Sequence, residues 1–79
     1  MLEIINAEYR DGFNLWLEFN DGTKGIAELS DCLWGQVFEP LKDKKLFMKF
    51  KISAISNTVE WETGADLAPE FLYNKVKHR

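Results

Sequence analysis

Between Val59 and Tyr73 the chain reads VEWETGADLAPEFLY, which sets three carboxylates, Glu60, Glu62 and Asp66, close together in sequence. Carboxylates so placed can hold a hard cation, or move protons where burial and proximity drive their pKa values apart. The spacing argues for a plainer use. Glu60 and Glu62 fall on one face of a strand whose other face carries Val59 and Trp61, so the glutamates point to solvent. Asp66 stands just ahead of Pro69, which suits the first turn of a helix because its missing N–H would have had no partner there. Asp66 is then expected to cap that helix, Glu70 to complement its positive end, and Gly64 to supply the backbone freedom between strand and helix. The stretch reads as a passage from sheet into helix, with no catalytic residue and no metal ligand in it.

The other reactive side chains are sparse. Cys32 is the only cysteine, so no internal disulfide and no multi-cysteine zinc site can form, and a small half-buried hydrophobe is its expected role. His78, the only histidine, is expected to fray beside the terminal Arg79, which rules out a fixed general base there. The chain has no glycine-rich phosphate loop and no nucleophile elbow. The expectation is a protein that is not an enzyme and that uses no cofactor.

Binding residues are easier to nominate. In the run Phe13 to Phe19, Phe13, Leu15, Leu17 and Phe19 share one parity while Asn14, Trp16 and Glu18 share the other, so Trp16 points away from the core. Tryptophan is a frequent interface anchor, which makes Trp16 a candidate for partner binding. Trp34, Tyr9 and Tyr73 are further candidates for a recognition patch, with core and rim packing the expected use of each. A second candidate surface is the lysine-rich segment Lys42, Lys44, Lys45, Lys49 and Lys51, where clustered cations would release counterions from a phosphate backbone.

These residues need elements to hold them. Leu2–Tyr9, Phe13–Phe19 and Thr23–Glu28 read as three antiparallel strands joined at Asp11-Gly12 and Asp21-Gly22, where Gly22 takes positive φ. A short helix or 3₁₀ turn follows Ser30 or Asp31, with Leu33, Trp34, Val37, Phe38 and Leu41 on its apolar face and Pro40 as its stop. Asp43 caps a second short segment containing Leu46, Phe47 and Phe50. Phe50–Ile55 and Thr58–Trp61 read as a later hairpin, and a helix from about Ala68 to Lys77 carries Leu72 and Val76 toward the sheet. The fold class is α+β: a small antiparallel sheet of about five strands, a three-strand meander plus the hairpin, with short helices and a C-terminal helix packed on the sheet.

Seventy-nine residues, 46% hydrophobic with eleven aromatics, make one domain across 1–79, and at this size folding buries only about 60% of the surface the unfolded chain exposes. The net charge of -3 alternates along the chain. The first 41 residues set eight acids against Arg10 and Lys24, the lysine-rich segment follows, and acids return from Glu60 to Glu70. Such alternation argues against a broad single-sign face for nucleic acid, leaving that partner possible only indirectly, through a dimer or a second protein. No run approaches the roughly 18 apolar residues of a membrane span, and the cytoplasm is the expected compartment.

Trp61, Gly64, the run Asp66-Leu67-Ala68-Pro69 and Leu72-Tyr73 resemble the closing signature of the bacterial family called domain of unknown function 2442. Phe19, Asp21-Gly22, Leu29, Phe38, Leu41 and Phe47 also fit its layout in order. Glu62-Thr63 departs from the family's usual proline and small polar residue, which implies a less rigid turn. The resemblance implies a small α+β domain, sometimes encoded beside another small domain, with toxin–antitoxin-like or regulatory roles. It supplies no catalytic residues. The leading expectation is a protein-interaction or regulatory module; the alternatives are a nucleic-acid regulator acting through the lysines and, last, a carboxylate metal enzyme. Sheet edges leave a homodimer open.

Overall fold

The computed structural model describes residues 1–77. His78 lies outside the described residues. Three strands, β1 (Ile4–Tyr9), β2 (Asn14–Phe19) and β3 (Lys24–Glu28), form an antiparallel sheet in the order β1-β2-β3. Gly12 and Gly22 have φ of 53° and 90° at the two reversals, a region that suits glycine because it lacks a Cβ. Asp21 Oδ1 tightens the second turn by accepting from Thr23 N at 2.9 Å.

Register then assigns the faces. Leu15 pairs with Tyr9 and Ala27, and Leu17 with Ala7 and Gly25, so the odd-numbered residues of β2 lie in the core. A register shift between Ile4 and Asn6 lets Ile4 stay buried although its separation from Ala7 would otherwise put it on the opposite face.

The segment after β3 departs from a continuous helix. It forms two 3₁₀ turns, Ser30–Cys32 and Glu39–Lys42, with Gly35 between them at φ 93°. A right-handed helix cannot pass through that angle, so Leu33 and Leu41 reach the core while Trp34 and Val37 turn outward. The helix α1 (Lys44–Phe47) follows, capped by Asp43 Oδ1, which accepts from Lys45 N at 3.0 Å as expected. Its last residue, Phe47, is fully buried among Phe13, Tyr9 and Trp61, with ring centroids 5.2, 6.1 and 5.7 Å away. Burying a phenylalanine in this way stabilises by about 1.5–3 kcal/mol.

The later hairpin is shorter than its sequence suggests. β4 (Lys51–Ile52) and β5 (Val59–Glu60) pair over two residues each and form their own sheet. The connecting turn, where Asn57 has φ 59°, reaches the edge of β1 instead: Ile4 N donates to the Asn57 carbonyl at 3.0 Å. Ile55, expected in a strand, is 93% exposed as a result. The chain closes with α2 (Pro69–Lys77), whose Leu72 is buried and whose Val76 meets β3 at Gly25. The α+β architecture, meander, hairpin and C-terminal helix, is the expected one. Among the described residues no helix is long and apolar enough to cross a membrane.

Candidate functional site

The carboxylates of the strand-to-helix passage are spread by the backbone rather than gathered. Glu60 and Asp66 form an isolated antiparallel bridge, and within the loop it closes Trp61 N donates to the Ala65 carbonyl at 2.9 Å. Gly64 sits at φ 93° and donates to the Trp61 carbonyl at 3.0 Å. The expected capping by Asp66 does not occur: among the described residues no hydrogen bond reaches its carboxylate. Its main chain pairs with β5, which holds it short of the helix end. Among these residues no group of three His, Cys, Asp or Glu side chains has metal-binding geometry.

The lysines are interleaved with acids and rings. Lys42 Nζ lies 3.2 Å from Glu39 Oε2, Lys51 is the cross-strand partner of Glu60, and Lys44 Nζ stands 5.7 Å over the Phe13 ring. Lys45 and Lys49 are exposed, Lys49 beside a small cleft that also touches Trp61, Glu62 and Thr63.

Trp16 does lie on the open face of the sheet, between its cross-strand partners Glu8 and Ile26. It is half-buried there, with the Arg10 guanidinium carbon 5.8 Å from its ring centroid. Trp34 is the barer of the two. It is 72% exposed, against the expectation of core or rim packing, because the Gly35 reversal carries its side chain off the core.

Trp34 borders a groove of about 410 Å³ between the first 3₁₀ turn and α2. Cys32, Phe38, Leu67 and Phe71 line it, and Asp31 and Lys75 close one end. Phe71 and Lys75, four residues apart in α2, share a helical face distinct from the face of Leu72 and Val76 that enters the core, and Leu67 reaches the groove from the segment ahead of the helix. Phe71 is 41% exposed, as is Val37, three residues after Trp34. Thr63 supports the loop from below: its hydroxyl donates to the Val37 carbonyl at 2.8 Å.

The groove's charged end is a tight ion pair, with Lys75 Nζ 2.7 Å from Asp31 Oδ1 and 2.9 Å from Oδ2. The Lys75 ammonium holds the Asp31 carboxyl below its ordinary value, and Asp31 in turn raises Lys75. The Cys32 thiol lies 3.3 Å from Asp31 Oδ1, and burial together with that carboxylate pushes it up to about 11. None of the three shifts toward neutral pH, where an acid, a base or a thiolate nucleophile would act.

A family model described as Protein of unknown function (DUF2442) matches residues 4–78. The chain belongs to the DUF2442 family. No curated protein and no solved structure matches it.

The signature residues of this DUF2442 chain serve the fold. Trp61 is buried and its Nε1 donates to the Phe47 carbonyl at 2.8 Å, tying the passage to α1. The Tyr73 hydroxyl donates to Asp21 Oδ2 at 2.8 Å and stands 3.2 Å from Thr23 Oγ1, so α2 is fastened to the turn held by Gly22. Pro69 opens α2 as expected. At the turn where Glu62-Thr63 departs from the family's usual pair, the Thr63 hydroxyl donates to the Val37 carbonyl. Of the groove residues, the sequence singled out Trp34 as a candidate anchor and missed Asp31, Phe38, Leu67, Phe71 and Lys75 as a set. The four-residue spacing of Phe71 and Lys75 within α2 was the available signal.

Proposed function

We propose that this DUF2442 protein is a non-catalytic protein-interaction module that binds a partner through the groove beside Trp34. The observation that carries the reading is a tryptophan 72% exposed at the mouth of an apolar concavity, with Phe71 opposite and a charged pair at one end. Exposed aromatic rings beside a pocket are the usual anchors of interfaces, and a rim ion pair adds orientation. The fitting ligand is a segment that offers one large apolar side chain to the groove and a polar group to Asp31 and Lys75. A thiol raised to about 11 and an aspartate held down by a lysine support a binding role over a chemical one. Neutralising a toxin encoded alongside is the regulatory form of this proposal, which rests on the family's typical settings. A cytoplasmic location belongs to it as well, supported by a single cysteine that can form no internal disulfide.

Affinity capture from the native host with the wild-type chain, Trp34→Ala and Trp16→Ala tests it, followed by calorimetry with the purified partner. The expected result is a partner retained by wild type and Trp16→Ala and lost by Trp34→Ala, an affinity loss of tenfold or more for a hot-spot residue on the order of 2 kcal/mol. Equal retention by Trp34→Ala and wild type, or capture of nothing, counts against it.

A further inference from the structure

The two edges of the meander differ. β1 is met by the turn that brings Asn57 to Ile4. On β3, Phe19 N donates to the Thr23 carbonyl and Leu29 N to the Phe13 carbonyl, so the odd-numbered residues of β3 face β2. By the alternation of an antiparallel ladder, Lys24, Ile26 and Glu28 must direct their N–H and C=O groups away from the sheet. Among the described residues none of these main-chain groups has a partner, and Lys24 and Glu28 are exposed.

An unpaired edge invites another strand, and edges are commonly defended by a charge that repels it. Here the charges are of both signs and in self-complementary order. When a second β3 runs antiparallel with Ile26 opposite Ile26, Lys24 of each copy faces Glu28 of the other, and every outward main-chain group finds a partner. Glu28 is already held in place, since the Ser30 hydroxyl donates to its Oε1 at 2.9 Å. Trp16 is the cross-strand neighbour of Ile26 on the open face, so the pairing also joins two short apolar stripes into one.

We propose that β3 is a homodimerisation edge, two copies joining into one continuous antiparallel sheet about a two-fold axis through the Ile26 pair. An isologous contact of this kind needs a patch complementary to itself, which Lys24-Gly25-Ile26-Ala27-Glu28 is. Glu28 at one end of this edge acts on Cys32 and Lys75 of the groove, whereas Trp34 takes no part in the edge, so Trp34→Ala tells the two proposals apart.

Sedimentation velocity and light scattering on the full chain over a concentration series test the pairing. The wild type is expected to dimerise, and Lys24→Glu or Glu28→Lys, each placing like charges opposite one another twice, to weaken association by about tenfold or more. An equimolar mixture of those two single variants restores both ion pairs and is expected to dimerise again. Trp34→Ala is expected to leave association unchanged. Circular dichroism confirms that each variant is folded, and the doubly exchanged Lys24→Glu, Glu28→Lys chain, which keeps every pair opposite in sign, serves where a single variant is not. A wild type that stays monomeric overturns the proposal, as does a dimer indifferent to the charge reversals or a mixture that fails to associate.

Discussion

A Cβ placed on Gly25 would stand 2.9 Å from Val76 Cγ1, closer than packed carbons tolerate. The missing side chain is what lets α2 settle against β3. Gly25 has ordinary strand φ, so the requirement is one of space. Val76 is β-branched and stiff at χ1, so its methyl group does not swing aside freely.

Gly25→Ala is therefore expected to destabilise the fold by about 1–3 kcal/mol, the usual cost of an overpacked contact. Chemical denaturation measures it. The double variant Gly25→Ala, Val76→Ala should recover much of the loss caused by the clash, and a double-mutant cycle reads that coupling directly.

Trp61→Phe should cost about 2–4 kcal/mol, because it removes buried volume and leaves the Phe47 carbonyl without its indole donor. The denaturant midpoint is the readout. A loss no larger than that of an exposed tryptophan, for which Trp34→Phe is the control, would contradict the role given to this bond.

The Asp31–Lys75 pair gives stability a pH dependence at both extremes. The Asp31 carboxyl is lowered from 3.8, so its contribution is present above that value and fades as acid protonates it below. Lys75 is raised from 10.5, so its contribution is present below that value and is lost as the pH climbs through the raised pKa. Thermal midpoints recorded across pH should show both shoulders flatten in Asp31→Asn. Because the carboxylate is exposed, added salt should shrink the same effect.

Cys32 should react slowly. A thiol moved from 9.0 to about 11 holds roughly a hundredfold less thiolate at pH 8 than an ordinary one, and the thiolate is the attacking species. Alkylation followed by mass spectrometry should show slow labelling of the folded chain and rapid labelling in denaturant. Asp31→Asn should speed the folded reaction, since it removes the carboxylate that opposes thiolate formation.

What the amino-acid order determined on its own is whatever follows from local period and backbone chemistry. The alternation through β2 places Trp16 on the open face without any tertiary information, because successive side chains of a strand must point oppositely. The glycine turns at Gly12 and Gly22, the Asp43 cap and the Pro69 helix start are legible for the same reason: each answers a requirement within a few residues. Tertiary structure decided the rest. Trp34 looked like a core residue because an apolar side chain in an irregular segment has no period to betray its direction, and only the positive φ at Gly35 turns it outward. Asp66 looked like a cap until pairing with Glu60 claimed its backbone. The groove exists only where Asp31 and Lys75 meet across 44 positions of chain, and no local rule links residues that far apart. Such contacts form because the hydrophobic core, indifferent to sequence distance, brings α2 back over the first sheet.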